Sequence, residues 1–286
     1  MKVPQDSKKT LNLGGQLLDL STPVIMGILN ITPDSFYEGS RFGGDRQHIL
    51  EIAGSMLRNG AAILDVGGYS TRPGADEVSE EEEKRRVVPV IESLCNEYPG
   101  VKVSVDTFRA GVAKAAVSAG ASLINDVSGG NLDSRMFETV AHCGVPYVLM
   151  HMRGTPKTMK ELTKYTHLTT DIVRELSSKL DHLRGLGVAD ILVDPGFGFA
   201  KTTEQNFELL NSLSYFCELN TPLLIGLSRK SMIWRSLGVS AEEALNGTTV
   251  LNTIALMKGA NILRVHDVKE ASETVKLWQL TVGKSK

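Results

Sequence analysis

A polar residue or a glycine stands directly after each of eight short apolar runs in this sequence. In chain order these residues are Asn30, Gly67-Gly68, Asp106, Asn125-Asp126, His151, Asp194, Ser228-Arg229-Lys230, and Arg264 with His266. If the runs are parallel strands of one closed sheet, their carboxyl ends converge on one face, where residues distant in sequence surround one ligand. This repeated placement predicts an active site.

Several of these residues have an ordinary structural interpretation when taken alone. Asp106 could cap the helix that follows it, and His151 could be a core histidine with satisfied hydrogen bonds. Asp194-Pro195-Gly196 could be only a turn. Eight such residues at equivalent positions are harder to explain as caps and turns, so the pattern as a whole favours an enzyme.

The candidate residues include a cationic set. Arg264, His266, Lys230 and Arg72 are cations or can become cations, and such side chains suit a phosphate or a diphosphate. Asn30 offers a carbonyl oxygen to Mg2+, an ion that keeps several waters and takes oxygens from its substrate. The set predicts a phosphorylated ligand with Mg2+ as cofactor.

Asp106, Asn125 and Asp194 form the opposite set. Two carboxylates and an amide deep in a barrel suit the donor-rich edge of a heterocycle with ring N–H and exocyclic amino groups. Together the two sets predict a nitrogen heterocycle with a phosphorylated arm. Two loops with turn formers and hydroxyls, 30–36 and 67–74, are expected to be mobile lids, with ordinary surface loops as the alternative.

The elements that must position these residues are strands alternating with helices. The apolar, β-rich runs lie at 24–29, 62–66, 101–105, 122–125, 147–150, 191–193, 223–226 and 262–265. Ser79 with Glu82 is a capping-box pattern that begins a helix, and the other helical patterns lie at 109–119, 171–186 and 241–257. Eight alternations in 286 residues predict an α/β fold, a single-domain (β/α)8 TIM barrel over residues 1–286.

Two further segments have interpretations of their own. Residues 11–20, with Gly14-Gly15 at their centre, predict a short N-terminal hairpin that closes the bottom of the barrel. The charged run 80–86 is interpreted as the solvated first turns of a helix, because acids precede bases in the order that the helix dipole favours.

Composition excludes several classes of partner. The formal net charge of −2 provides no basic field for nucleic acid or for an anionic membrane. No apolar stretch reaches the ~18 residues of a membrane span, and the first residues lack the apolar core of a secretory signal. Cys95, Cys143 and Cys217 are isolated and odd in number, which is typical of reduced thiols in a cytoplasmic protein.

Seven segments, in order along the chain, resemble the dihydropteroate synthase family. They are MGILNITPDSF (26–36), GGYSTRPGA (67–75), SVDT (104–107), INDVSG (124–129), DPGFGF (194–199), GLSRKS (226–231) and RVHDV (264–268). The resemblance covers essentially the whole chain. It implies a Mg2+-dependent transferase that joins (7,8-dihydropterin-6-yl)methyl diphosphate to p-aminobenzoate and gives 7,8-dihydropteroate and diphosphate in folate biosynthesis.

The resemblance also implies a role for each matched residue. The pterin is expected to contact Asp106, Asn125, Asp194 and Lys230, in a pocket lined by Met150, Phe199 and Gly226. The diphosphate is expected to contact Asn30, Thr71, Arg72, Arg264 and His266, with Asn30 also binding Mg2+. The p-aminobenzoate site is expected to consist of Phe36, Thr71, Pro73, Ser228, Arg229 and Lys230. The implied catalytic set is Asp106, Lys230, Asn30, Arg264 and His266.

One residue departs from the family pattern, and one property of the family concerns assembly. Tyr69 stands where many members have an acidic residue, which affects expectations for closure of the second loop and not for the reaction. The family implies a homodimer. Val250, Ile254, Leu256 and Trp278, in the last helices, could face the partner or pack on the barrel.

Two other functions compete with a synthase. A pterin-binding methyltransferase-type barrel could share Asp106, Asn125 and Asp194, but it has no evident need for the TRPG loop or for the anion site at Arg264-Val265-His266. A non-catalytic paralogue could keep the barrel for binding or regulation. The intact loops and cationic residues argue against that alternative.

Overall fold

The apolar runs form a ring of parallel strands in a computed structural model, which describes residues 9–31, 44–69 and 77–283. The strands of the ring are β3 (Val24–Asn30), β4 (Ala61–Gly67), β5 (Val103–Asp106), β6 (Leu123–Asp126), β7 (Tyr147–Met150), β8 (Ile191–Asp194), β9 (Leu224–Ile225) and β10 (Ile262–Val265). The helices are α1 (Gly44–Arg58), α2 (Glu80–Glu97), α3 (Ala110–Ser118), α4 (Met136–Cys143), α5 (Leu168–Gly185), α6 (Thr203–Asn211), α7 (Ser231–Leu237), α8 (Leu245–Met257) and α9 (Val268–Thr281).

The strand order confirms the predicted barrel. Neighbouring strands are paired in the order β8-β7-β6-β5-β4-β3-β10-β9, and each pair is parallel. A single parallel bridge between Val193 and Leu223 brings the two ends of this order together. Strand β9 is shorter than predicted, because Leu223 is paired across the closure only by this isolated bridge, outside the strand, and Gly226 lies beyond the pairing.

The predicted hairpin is also present and closes the bottom of the barrel. It consists of β1 (Thr10–Leu13) and β2 (Gln16–Asp19), joined by Gly14 and Gly15, whose φ angles of 61° and 87° suit a mirror-image hairpin turn. Leu11 and Leu13 of the hairpin, with Leu20, pack in one cluster with inner residues from the first halves of the strands. Those residues are Met26, Ile63, Leu123, Val148, Leu192, Leu224 and Ile262.

Helix α2 begins as its sequence predicts, but one residue corrects the interpretation of its charged run. The Ser79 hydroxyl accepts a hydrogen bond from the Glu82 N–H at 3.2 Å, which caps the helix. Glu83, predicted to be solvated, is fully buried and forms an ion pair with Arg109. Burial raises the pKa of Glu83, and Thr107 and Arg109 oppose that rise. The run is therefore solvated on one side only, because α2 turns Glu83 toward the segment that precedes α3.

The described residues can be compared with the expectations for membrane spans and for the cysteines. In residues 9–31, 44–69 and 77–283, no helix is long and apolar enough to cross a membrane. Cys95, Cys143 and Cys217 are free thiols, of which Cys217 is buried and the other two are half-buried.

Candidate active site

Three polar residues and a glycine form a row across four neighbouring strands at the carboxyl end of the barrel. The register places Asn30 beside Gly67, Gly67 beside Asp106, and Asp106 beside Asn125. A Cβ atom on Gly67 would lie 3.5 Å from Asn30 Oδ1 and 3.8 Å from Asp106 Oδ2. The glycine therefore leaves open a space that the Asn30 amide oxygen and the Asp106 carboxylate share.

Arg264 of β10 joins two carboxylates below this space. Its Nε donates to Asp65 Oδ2 at 2.6 Å, and its Nη2 donates to Asp106 Oδ2 at 2.5 Å. Asn125 Nδ2 donates to the same Asp65 oxygen at 3.0 Å. The Asp65 side chain is fully buried, and no hydrogen-bond partner of its Oδ1 lies in the described part of the chain. Arg264, Asp106 and Asn125, predicted from sequence to share one site, are thus brought together.

Asp65 was missed by the sequence reasoning, although its position carries a signal. It is a carboxylate within the otherwise apolar strand AAILDVG, where an unpaired charge would be costly to bury. Such a residue needs a cationic partner at the centre of the barrel, and Arg264 is that partner. An acidic residue inside a fully buried strand is therefore itself an indication of a polar site.

Burial and neighbouring charges have different net effects on the pKa values of Asp106 and Arg264. Burial raises the pKa of Asp106 to about 7, with the Arg264 charge opposing and the Asp65 and Glu83 charges adding to the rise. Burial alone would lower the pKa of Arg264, but the carboxylates of Asp65 and Asp106 outweigh it and raise that pKa. Arg264 therefore stays a cation, whereas Asp106 changes charge near neutral pH.

A second carboxylate and cation stand across the barrel mouth. Asp194 Oδ1 accepts the Gly196 N–H at 2.7 Å, and burial raises the pKa of Asp194, with Lys230 opposing. Burial lowers the pKa of Lys230 to about 8, and Asp194 opposes that change. Lys230 Nζ donates to the Phe197 carbonyl and lies 5.0 Å from the centre of the Phe199 ring. The predicted residues Asp194, Lys230 and Phe199 therefore meet.

An apolar wall adjoins this second pair. Met150 ends β7 beside Asp194 of β8 and belongs to a small buried cluster with Val127 and Met152, against which Phe199 packs. Gly226 lies beside Lys230, and an added Cβ would be in ordinary van der Waals contact with its Nζ, at 3.8 Å. A planar heterocycle fits such a site, because its faces contact the apolar wall while its edge meets the carboxylates.

Ser228, Arg229 and His266 lie together at the adjoining strand ends. The Ser228 hydroxyl oxygen lies 2.9 Å from His266 Nδ1 and accepts the His266 N–H at 3.2 Å. The Arg229 guanidinium binds both oxygens of Asp267, at 2.9 and 2.8 Å, and donates to the Ala241 carbonyl at 3.0 Å. Because these contacts already occupy the guanidinium, its predicted contact with p-aminobenzoate stays a prediction.

Several predicted site residues lie outside the described residues, and their roles stay predictions. They are Phe36, Thr71, Arg72 and Pro73. Tyr69 is the last described residue before the segment 70–76, which lies outside the described residues. Its ring meets the Phe108 ring edge-on at 5.2 Å, and the Arg109 guanidinium lies 5.3 Å from its centre. The residue that departs from the family pattern therefore packs on the segment that follows Asp106.

Two of the polar residues at strand ends hold loops. Asp126 accepts hydrogen bonds from the Tyr147 hydroxyl at 2.7 Å and from the N–H groups of Ser128 and Gly130 at 2.7 and 2.8 Å. His151 is buried, and burial lowers its pKa to about 4. Its ring lies within hydrogen-bond distance of Glu175 and Lys201, so the alternative of a satisfied core histidine holds.

Asn30 is the residue to test as a Mg2+ ligand. Its side chain ends β3 in an exposed position, with the amide oxygen facing the space above Gly67. Groups of three or more His, Cys, Asp or Glu residues placed to hold a metal ion are absent from residues 9–31, 44–69 and 77–283. An exposed amide oxygen that faces an open space fits Mg2+, which tolerates few protein ligands when the phosphate oxygens of a substrate and water supply the others.

The chain resembles known pterin-binding enzymes over nearly its full length. Residues 26–266 match the family described as pterin binding enzyme. Dihydropteroate synthase of Escherichia coli (strain K12) is 43% identical over 274 residues, which cover 94% of this chain and 95% of that protein.

Solved structures give the same result for the fold. Yersinia pestis dihydropteroate synthase, solved in complex with a sulfonamide drug, has a TM-score of 0.89 at 43% identity and covers 96% of this chain and 99% of its own. The Xanthomonas albilineans dihydropteroate synthase, solved with 4-aminobenzoic acid, has a TM-score of 0.89 at 38% identity and the same coverage. The similarity therefore extends to the whole barrel.

Proposed function

The chain belongs to the dihydropteroate synthases, a family of pterin-binding enzymes, and on this premise we propose how its residues divide the reaction. The enzyme condenses (7,8-dihydropterin-6-yl)methyl diphosphate with p-aminobenzoate, giving 7,8-dihydropteroate and diphosphate. One observation supports this division of roles. Arg264 lies in the barrel mouth between Asp65 and Asp106, so this cluster of three side chains provides both a cation and a carboxylate to the same space.

The pterin is bound by the carboxylates and the amide. Asp106, Asn125 and Asp194 accept hydrogen bonds from the ring N–H and amino groups, since ionised carboxylates only accept. Lys230 donates to the ring from the opposite side, next to the apolar wall of Met150 and Phe199. This arrangement orients the exocyclic methylene toward the open space above Gly67.

Loss of diphosphate separates charge, and the site has a group for each sign. The Asp106 carboxylate stabilises the positive charge that develops on the methylene and the pterin ring. Arg264, His266 and Lys230 stabilise the negative charge on the departing diphosphate. A Mg2+ ion held by Asn30 and the diphosphate would act as a Lewis acid on the leaving oxygen. The arylamine nitrogen bonds to the methylene carbon as the carbon–oxygen bond breaks and its electron pair leaves with the diphosphate. The nitrogen then releases one proton to the diphosphate or to water.

The aminobenzoate is expected to bind at the rim, opposite the departing diphosphate. Ser228 and Arg229 provide the described part of this rim, and Phe36, Thr71 and Pro73 are the proposed partners from the two loops. Because Arg229 is fixed by Asp267, we propose that it orients Ser228 and Lys230 in addition to any contact with the substrate.

Changing Asn30 to alanine should raise the Mg2+ concentration that gives half-maximal rate. The variant loses the one protein oxygen proposed for the ion, so a weaker site must be filled by mass action. Steady-state rates over a Mg2+ titration measure the change. Asn59→Ala, at the end of α1, is the control, and an Asn30→Ala enzyme with the Mg2+ dependence of the wild type would contradict the proposed ligand.

Sulfonamides should inhibit by competing with p-aminobenzoate. Phe36 and Pro73 match the family positions that shape this subsite, and the Y. pestis relative was solved with a sulfonamide drug. The apparent KM for p-aminobenzoate should rise with inhibitor concentration while kcat stays constant, as initial-rate kinetics will measure. Inhibition that lowers kcat without changing this KM would mean that the drug binds elsewhere.

A complementation experiment separates the synthase from the rival functions. The gene should restore growth, without added folate end products, to a bacterial strain whose own dihydropteroate synthase is deleted. A methyltransferase-type barrel or a non-catalytic paralogue would leave that strain dependent on the supplement. The Asp106→Asn variant, expressed to the same level, is the matched control and should fail to restore growth.

We also propose that the chain is a homodimer through α8 and α9. Val250, Met257 and Leu277 expose apolar side chains at 49%, 64% and 64%, whereas Leu256 is buried and Trp278 packs against the core. Light scattering after gel filtration should give about twice the 31.0 kDa of one chain.

The double variant Met257→Asp/Leu277→Asp should shift that mass to one chain, because charges at the centre of an apolar interface disfavour association. Leu17→Asp is the control, since Leu17 is as exposed but lies on the hairpin. A wild-type mass of one chain would contradict the dimer. If the wild type is a dimer and the double variant has the same mass, the interface through α8 and α9 is contradicted.

Two broader proposals rest on the same premise. We propose that residues 1–286 form one domain, since the strands of the barrel come from both ends of the chain. We propose a cytoplasmic location, since the three cysteines are free thiols.

A further inference from the structure

Lys201 is a cation that the reaction does not use, yet its ammonium group is fully hydrogen-bonded. Its Nζ lies 2.9 Å from the Gly196 carbonyl, 3.0 Å from the Phe199 carbonyl and 3.1 Å from His151 Nδ1. An ammonium group has three hydrogens and no lone pair. Each hydrogen therefore has one acceptor, and two of the three acceptors belong to the segment between Asp194 and Lys201.

These contacts determine the protonation of the neighbouring imidazole. While Lys201 is an ammonium it can only donate, so His151 Nδ1 accepts and the ring proton lies on Nε2. His151 Nε2 lies 3.0 Å from Glu175 Oε2, which accepts that proton. Burial lowers the pKa of His151 to about 4, in agreement with a neutral ring. Arg153 in turn forms an ion pair with Glu175, which completes a chain from Lys201 to the surface of α5.

The conformation of segment 195–200 depends on these hydrogen bonds of Lys201. Ala200 has φ of 51°, a strained value for a residue other than glycine, and its carbonyl accepts a hydrogen bond from the Tyr165 hydroxyl at 2.9 Å. The same segment contains the Phe197 carbonyl that accepts from Lys230 and the Phe199 ring that lies beside Lys230. A change at Lys201 therefore reaches the pterin site through two backbone carbonyls.

We propose that Lys201, oriented by His151 and Glu175, is a positioning residue that holds segment 195–200 so that Phe199 and Lys230 meet the pterin. The proposal rests on the proposed function, because it concerns the same pterin site. Lys201 does not contact the substrate in this account. Its effect on the reaction is through Phe199 and Lys230.

The charge of Lys201 makes this role dependent on pH. Burial lowers the pKa of Lys201 to about 7; Asp194 and Glu175 oppose that change, and Lys230 and Arg153 add to it. His151, the remaining titratable group in contact, is neutral in this range. A neutral amine has two hydrogens for the three acceptors, so one acceptor loses its bond as the pH rises through about 7. The part of the pterin affinity that depends on Lys201 should therefore fall over that range. Ionisation of Asp106, whose pKa is also about 7, favours binding over the same range, so the fall is measured as the difference between the wild type and Lys201→Met.

Glu175→Gln distinguishes Lys201 from the other groups that titrate nearby. The substitution removes a negative charge that favours the Lys201 ammonium, whereas the charges that chiefly act on the pKa of Lys230 are those of Asp194, Arg264 and Asp106. The fall in pterin affinity should therefore move to lower pH in this variant. At pH values below the fall, the affinity should equal that of the wild type, since glutamine still accepts from His151.

The experiment measures binding of 6-hydroxymethyl-7,8-dihydropterin, the heterocycle without its diphosphate, by calorimetry between pH 5.5 and 8.5. Lys201→Met should weaken binding at pH 6 by roughly ten- to hundred-fold, which is the effect of losing charged hydrogen bonds. It should also abolish the fall near pH 7 and leave the KM for p-aminobenzoate unchanged. Lys160→Met, at an exposed lysine in the connection between β7 and α5, is the matched control.

Two results would overturn the proposal: wild-type pterin affinity in Lys201→Met, or a fall at unchanged pH in Glu175→Gln. If Lys201→Met does not fold, the position of the fall in Glu175→Gln decides alone. Wild-type protein that binds the pterin without turning over would contradict the proposed function, while the pH dependence of binding would still test Lys201.

Discussion

Replacing Asp106 by asparagine should lower turnover by about 100- to 1000-fold while changing diphosphate affinity little. Asparagine keeps the size of the side chain but removes the negative charge that faces the developing pterin cation. Arg264 keeps its bond to Asp65, so the anion site retains its main cation. Single-turnover rates and diphosphate inhibition constants measure the two effects separately.

The pH dependence adds a second test of Asp106. Burial raises the pKa of this carboxyl to about 7, so the ionised form is lost as the pH falls through that value. The wild-type turnover should therefore decrease on the acid side of about pH 7, and the decrease should be absent in Asp106→Asn. Asp181→Asn, an exposed residue of α5, is the control. Equal losses of turnover and diphosphate affinity would contradict the assigned role.

Replacing Arg264 by methionine should destabilise the protein by about 3–5 kcal/mol, the cost of leaving a buried ion pair without one partner. Asp65 has no exposed surface, and Asp106 is only slightly exposed, so water replaces little of the lost interaction. Urea unfolding measures the free energy of unfolding. Arg235→Met, an exposed position at the end of α7, should change it by much less.

A second substitution distinguishes the effect of uncompensated buried charge from the effect of lost packing. Adding Asp65→Asn to the Arg264→Met variant removes one of the two uncompensated charges and should restore part of the stability. The single variant should also lose stability as the pH rises, because burial raises the pKa of Asp106 and the Arg264 charge that opposes this rise is gone, so the folded state favours the protonated carboxyl. Loss of stability below 1 kcal/mol, or loss that neither Asp65→Asn nor lower pH relieves, would contradict this account.

The barrel could be predicted from sequence because its signals are local. Apolar runs such as 147–150 and 262–265 coincide with β7 and β10, and the Ser79 cap lies where its spacing predicts. The short β9 was overestimated, since Leu223 and Gly226 are as apolar as strand residues and only the pairing across the closure shows where the strand ends.

The site could be predicted only in part, because which residues form pairs depends on the closed barrel. Positions at strand ends predict Asp106, Asn125, Asp194 and Arg264 as site residues, and the barrel places all four at its mouth. Asp65 was missed, since it lies within a strand and its partner Arg264 is 199 residues away. Glu83 was placed in solvent, because a charged run at the start of a helix does not show which of its members faces the barrel.

The measurement that tests the central claim most directly is diphosphate release from (7,8-dihydropterin-6-yl)methyl diphosphate by the purified protein, with and without p-aminobenzoate and Mg2+. The account predicts release that requires both additions and yields one 7,8-dihydropteroate for each diphosphate. Tight pterin binding without turnover would contradict the synthase and favour the paralogue or the methyltransferase. Absence of any pterin binding would contradict the assignment of Asp106, Asn125, Asp194 and Lys230 to a pterin site.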